Sequence, residues 1–235
     1  MHHKTAVITG ATQGIGKAIA EKFLQEGFDI GICARNHQAL SALQSSWHEL
    51  YPDRRIVIYT ADFSKQAEVG AFAAYLLQEF PRIDVLVNNA GVFLPGTVIE
   101  EPEDQLSYMM EVNVMSAYHL SRSIIPGMQT KGSGHIINIC SVAGLHAYAG
   151  GSSYSISKYA MLGLSDNLRE ACKPYGIGVT AICPGATLSP SWEGSGVDES
   201  KLMDAADIAT LAWQCTQLSP KACVERIVVN PVKDM

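Results

Sequence analysis

Tyr154 and Lys158 stand four residues apart, a spacing that puts both side chains on one face of a helix. A free phenol titrates near 10 and a lysine ammonium near about 10.4. A cation beside a phenol favours the phenolate, and a group brought toward neutrality makes an efficient proton donor or acceptor. The pair could therefore do acid–base chemistry. It could equally be an amphipathic pair on an exposed helix. Upstream, Ser141 closes an apolar run before Ala143-Gly144, as a polar site residue or as a strand-end turn residue. Asn113 lies within a helical stretch that it could serve functionally or merely bend or cap.

A second constellation lies near the N-terminus. Thr5–Thr9 reads as a strand and is followed by Gly10-Ala11-Thr12-Gln13-Gly14-Ile15-Gly16 and a helix. Glycines there permit a tight turn, close backbone approach to a phosphate and close helix–strand packing, and the helix N-terminus supplies N–H groups. The spacing is G-x-x-x-G-x-G rather than G-x-G-x-x-G, and a plain tight turn is the competing reading. The next strand ends in Ala34-Arg35-Asn36 with no carboxylate. A carboxylate at that point suits the ribose 2′-hydroxyl of NAD, whereas an arginine suits the 2′-phosphate of NADP. Arg35 thus favours NADP(H) over a merely solvated role.

Strands are expected over 5–9, 29–34, 55–61, 84–88, 135–141, 178–183 and 224–229, most of them nearly continuous apolar runs of the kind buried on both faces of a sheet. Helices are expected over 15–26, 38–50, 65–80, 103–128, 153–173 and 205–218. The alternation implies right-handed βαβ crossovers and an α/β, Rossmann-like doubly wound parallel sheet of about seven strands with helices on both faces. No linker divides residues 1–235, so a single domain is expected. The Gly-, Ser- and Pro-rich stretch 184–203 is expected as a mobile substrate loop beyond the carboxyl ends of the strands.

Composition narrows the function classes. A net charge of −6 argues against nucleic acid as the main partner. Hydrophobic residues at 47% supply a large core and exclude disorder. No long apolar run suggests a membrane span, and no secretory signal precedes the first strand. Six cysteines without a C-x-x-C pair suit reduced thiols, and the expected location is the cytoplasm. Cys140 reads as a buried small apolar residue. The seven histidines form no metal-binding pattern, so no metal is expected. His146 lies between Ser141 and Tyr154 and could line the pocket, although core or surface fits it as well.

Taken with Asn88-Asn89-Ala90-Gly91, these motifs resemble the short-chain dehydrogenase/reductase family from about residue 4 to 190. The resemblance implies that Gly10, Thr12, Gln13, Gly14, Ile15 and Gly16 cradle the pyrophosphate and that Arg35 and Asn36 meet the adenosine phosphate. It further implies Asp62 and Phe63 at adenine, Asn89, Ala90 and Gly91 at the adenosine ribose, and Pro184, Gly185 and Thr187 at the nicotinamide. Tyr154 would exchange the proton with the carbonyl or alcohol oxygen, Ser141 would bind that oxygen, Lys158 would hold the nicotinamide ribose, and Asn113 would support a water. A homodimer or homotetramer paired through the helices at 103–128 and 153–173 is implied as well.

The resemblance implies a small carbonyl or alcohol as substrate. The region 184–192 and the C-terminus resemble sepiapterin-reductase-like members, with Trp192 stacking on a ring and Glu193, Asp198 or Asp234 binding a pterin's amino edge. A 3-oxoacyl-[acyl-carrier protein] reductase is the alternative, needing a basic patch for which Lys131, Arg169 and Lys173 are available. A general carbonyl reductase and a non-catalytic NADP-binding regulator complete the set.

Overall fold

The computed structural model describes residues 3–192, 194 and 196–232, so the roles expected of Glu193, Asp234 and the last residues fall outside what is described. The strands are β1 (Thr5–Thr9), β2 (Asp29–Ala34), β3 (Ile56–Thr60), β4 (Val85–Asn88), β5 (Gly134–Ile139), β6 (Ile177–Pro184) and β7 (Arg226–Val229). They form one parallel sheet in the order β3-β2-β1-β4-β5-β6-β7. The chain runs outward from β1 to β3, then crosses back to β4 beside β1. That reversal opens a crevice at the carboxyl ends of β1 and β4, where open α/β sheets bind ligands.

The helices are α1 (Gly14–Gln25), α2 (His37–Leu50), α3 (Gln66–Glu79), α4 (Gln105–Met110), α5 (Ser116–Lys131), α6 (Ser152–Cys172) and α7 (Ala205–Cys215). Successive strand residues face opposite layers. Ile8, Ile30, Ile32 and Val87 pack on Ile19 and Phe23 of α1, Trp47 of α2 and Ile208 of α7. Val7, Leu86, Ile136 and Val179 pack on Phe72 and Leu76 of α3 and Leu120 and Ile124 of α5. With both faces covered, the central strands read as nearly continuous apolar runs, while the edge strand β7 stays half exposed, and each buried apolar side chain contributes roughly 1.5–3 kcal/mol.

The single helix expected over 103–128 is not formed. Residues Glu111–Met115 make a π-helical turn between α4 and α5. An inserted residue of this kind is disfavoured in a regular helix and tends to occur at functional sites. Asn113 lies at its centre and is bonded away from the helix, as described below. Past it, α5 continues to Lys131 and stops at Gly132, whose φ of +69° is the left-handed cap a glycine takes readily. The last helix ends at Cys215 instead of Leu218, and the last strand begins at Arg226 instead of Val224. The base of the 184–203 stretch is pinned by a short parallel pairing, Leu188 N donating to Met203 O at 2.8 Å and Met203 N to Ala186 O at 3.0 Å.

At the opposite end of the sheet, buried Asp84 joins three elements. It accepts from Thr5 N at 2.9 Å, from Arg82 at 2.9 Å and from Lys131 at the end of α5. Burial raises the carboxyl, but these bonds outweigh it and hold Asp84 below the usual carboxylate range. Asp84→Ala leaves Lys131 and Thr5 N without that partner and is expected to cost about 3 kcal/mol, roughly 6–12 °C in melting temperature. Because the folded carboxyl titrates lower than the unfolded one, this stabilisation is complete above about pH 4 and lost as pH falls through the folded value. Melting curves between about pH 7 and pH 3 check both points. An Asp84→Ala melt within about 2 °C of the parent would refute the bridge's contribution.

Candidate active site

A cleft of about 840 Å³ runs across the carboxyl ends of the strands. At one end the loop after β1 turns sharply, with Gly10 at φ +65° and Gly14 at φ +55°. A Cβ at Gly16 would lie 2.3 Å from both Gly10 O and Asn89 Nδ2, so only glycine lets α1 approach the strand this closely. The loop is braced from β4: Thr9 Oγ1 accepts from Asn89 N and Ala90 N at 2.9 Å each, and Asn89 Nδ2 donates to Thr9 O at 2.8 Å. No side chain caps the start of α1 among the described residues. Its N–H groups and positive dipole end therefore face the cleft, an arrangement suited to a phosphate. Gly10, Thr12, Gln13, Gly14, Ile15 and Gly16 all line it.

Arg35 follows β2, exposed on the cleft wall, and no carboxylate pairs with it among the described residues. Asn36 also lines the wall, but its Oδ1 accepts from Ala39 N at 3.0 Å and caps α2. Asp62 and Phe63 complete this end. Hydrogen bonds from the Ser64 backbone and hydroxyl hold the Asp62 carboxyl below its ordinary value. The glycine cradle, the uncapped helix and the unpaired guanidinium fit a dinucleotide carrying a 2′-phosphate.

At the other end Ser141, Tyr154 and Lys158 line the same cleft. Lys158 is buried, its Nζ donating to Ile139 O at 3.0 Å and lying 5.5 Å from the centre of the Tyr154 ring. Tyr154 packs edge-on against Phe93, with centroids 5.2 Å apart. Among the described residues no protein group hydrogen-bonds its hydroxyl, which leaves that hydroxyl to the cleft. Ser141 Oγ accepts from Ala143 N at 3.1 Å and keeps its own hydrogen to donate. The turn that carries it is fastened to α6, because Ser155 Oγ donates to Ala143 O at 2.7 Å. A Cβ at Gly144 would come within 2.6 Å of Lys158 O. Pro184, Gly185 and Thr187 form the adjoining wall, Gly185 N donating to Val229 O at 2.7 Å.

Asn113 works as a clamp. Its Oδ1 accepts from Val92 N at 2.7 Å, and its Nδ2 donates to Val92 O at 3.0 Å and to Ser157 Oγ at 2.9 Å. The Val92 N–H fixes the amide orientation. The side chain thus joins the segment after β4 to α6, and both amide hydrogens are spent on protein. A water in this region would have to be held by other atoms than Nδ2. Glu101 carries no motif signal in the sequence, yet it accepts from Ser153 N at 3.4 Å and from Ser153 Oγ at the start of α6. A carboxylate favours a helix N-terminus, so Glu101 anchors the helix that carries Tyr154.

Several expectations change. His146 is exposed and does not line the cleft; Tyr148, two residues on, does. Phe93, Tyr108 and Val112 also line it and carry no motif signal. Trp192 is on the wall, its Nε1 donating to Thr187 O at 2.9 Å. Asp198 is not on the wall, and it accepts from Ser200 N at 3.0 Å instead. Lys131 and Arg169 form no patch by the pocket: the first pairs with Asp84 and the second with Glu225, and both helices that carry them end where the next strands begin. Lys173 follows α6 at that same end. Cys140 is buried against Met161, Leu162 and Cys183, and contact with Cys183 together with burial pushes its thiol up. No three His, Cys, Asp or Glu side chains are grouped to hold a metal among the described residues. No described helix is long and apolar enough to cross a membrane.

A family model described as short chain dehydrogenase matches residues 4–199. An uncharacterised oxidoreductase of Staphylococcus epidermidis is 31% identical over 230 residues, 97% of each chain. A diacetyl reductase [(S)-acetoin forming] of the same species is 32% identical over 206 residues, covering 87% of this chain and 79% of its own. Among solved structures, an L-sorbose reductase of Gluconobacter frateurii complexed with NADPH and L-sorbose superposes with a TM-score of 0.90 at 27% identity, covering 99% and 98% of the two chains. The family model covers most of the chain, the sheet agrees with the superposed structure, and the chain belongs to the short-chain dehydrogenase family.

Proposed function

We propose that this oxidoreductase reduces a carbonyl to an alcohol with NADP(H). The observation that carries the reading is one continuous cleft with an unpaired arginine and a glycine cradle at one end and Ser141, Tyr154 and Lys158 at the other. The NADPH complex of the similar sorbose reductase supports the choice of cofactor. When bound, the nicotinamide supplies the hydride. Ser141 donates a hydrogen bond to the carbonyl oxygen and holds it beside Tyr154. Tyr154 gives that oxygen its proton, and the Lys158 ammonium stabilises the phenolate left behind. Asn113 and Glu101 keep α6, and with it Tyr154 and Lys158, in register with the opposite wall. In the reverse direction Tyr154 takes the proton from an alcohol.

For substrate, the reading is a general carbonyl reductase, a choice the similarity to a diacetyl reductase supports. Among the described residues, Asp198 is bonded to Ser200 N and lies off the cleft wall, and Lys131 and Arg169 pair with Asp84 and Glu225 away from it, so these contacts do not support the pterin or carrier-protein readings. The test is loss of NADPH absorbance against sepiapterin, an acetoacetyl thioester, diacetyl and aromatic aldehydes, with NADH in parallel. Turnover of diacetyl and aldehydes with NADPH is expected. Turnover of the thioester alone would refute the substrate reading, and silence across the panel with NADPH binding intact would favour a non-catalytic NADP-binding protein.

A further inference from the structure

We infer that the Tyr154 end of the cleft selects uncharged carbonyl compounds that carry a flat or branched apolar group, and rejects carbonyls bearing a carboxylate or phosphate. The inference rests on the reductase reading and narrows its substrate class. The charged residues described along the whole cleft wall are Arg35, Asp62 and Lys158. Arg35 and Asp62 follow β2 and β3 at the far end. Lys158 is tied to Ile139 O at 3.0 Å, and its Nζ lies 3.7 Å from where a Gly91 Cβ would be. Its ammonium lies 5.5 Å from the centre of the Tyr154 ring and is held by the backbone carbonyl of β5 rather than standing open among the rings.

That wall is built from rings. Phe93 and Tyr148 remain 41% and 46% exposed, so large apolar faces stand open in the cleft where a ligand would cover them. Trp192 has its indole oriented by the bond from Nε1 to Thr187 O at 2.9 Å. Tyr148 is seated against Gly151, where a Cβ would lie 2.2 Å from the ring, so this glycine lets the ring adopt its position. Burial and the neighbouring Tyr154 push the Tyr148 phenol up to about 12, which keeps it a neutral donor. A substituent leaning on these rings gains apolar and edge-to-face contact. An anionic substituent leaning on Phe93, Tyr148 or Trp192 loses water, and the one described cation at this end of the cleft, Lys158, is already bonded to Ile139 O.

The test uses two ligands of nearly one shape: phenylpropanedione, a vicinal diketone with phenyl and methyl ends, and phenylglyoxylate, in which a carboxylate replaces the acetyl group. Calorimetric binding to the intact protein loaded with NADP⁺ reads selectivity without turnover. The dione is expected to bind at least about 30-fold more tightly, a ratio of the size an unpaired buried charge produces. Phe93→Ala and Tyr148→Ala are each expected to weaken the dione about 10-fold and leave NADP⁺ binding unchanged. Equal or tighter binding of phenylglyoxylate, no binding of the dione, or an unchanged dione affinity in both variants would overturn the inference. If the dione binds as expected yet is never reduced by NADPH, the reductase reading fails and the selectivity stands. If both compounds are reduced equally well, the selectivity fails and the reductase reading stands.

Discussion

Tyr154→Phe is expected to lower kcat/KM by about 10³-fold or more while NADPH binds within about threefold of the parent, the loss falling in the range of one positioned proton donor. The substitution is a clean one here. The ring stays edge-on to Phe93, and no protein hydrogen bond is lost among the described residues because the hydroxyl faces the cleft. Stability should therefore change little, and Ser141 and Lys158 keep their bonds to Ala143 N and Ile139 O. What disappears is the proton that the reduced oxygen must receive. Water can replace it only from an unpositioned geometry. Activity kept within tenfold would remove Tyr154 as the donor.

Arg35→Asp is expected to lower the ratio of kcat/KM for NADPH over NADH by about 10²–10³-fold. A guanidinium pairs with a phosphate through two charge-assisted hydrogen bonds, worth about 1.5–3 kcal/mol each. An aspartate removes them and adds repulsion toward the 2′-phosphate, while it can accept from an unphosphorylated ribose hydroxyl. Roughly 3–4 kcal/mol of preference corresponds to two to three powers of ten. Arg35 is exposed, and its described interaction with a carboxylate is the long-range attraction to Asp62, so the fold depends little on it. An unchanged coenzyme ratio, measured by initial rates with each nucleotide, would remove Arg35 from the phosphate site.

The sheet was legible because burial on both faces forces continuous apolar runs such as Ala6-Val7-Ile8 and Ile136-Ile137, and seven of these alternate with helical stretches. The glycine cradle was legible for a related reason: the required backbone turn and close approach at Gly10 and Gly16 exclude a side chain. Features made by distant segments meeting were not legible. The π turn at Glu111–Met115 accompanies the bonds between Asn113 and Val92, 21 residues earlier. Helical periodicity is nearly blind to one inserted residue. The anchoring of α6 by Glu101 spans 52 residues, and nothing in the local sequence marks it. His146 and Tyr148 lie in one irregular stretch, where a shift of two residues decides which side chain faces the cleft.

The most direct measurement follows the hydrogen itself. The protein would be incubated with diacetyl or an aromatic aldehyde and NADPH deuterated at nicotinamide C4, and the alcohol would be examined by mass spectrometry. Deuterium on the carbinol carbon with the parent protein, and its near absence with Tyr154→Phe, is the expected result. NADPH bound at full occupancy with no label transferred to any carbonyl of the panel would contradict a carbonyl reductase built on Ser141, Tyr154 and Lys158.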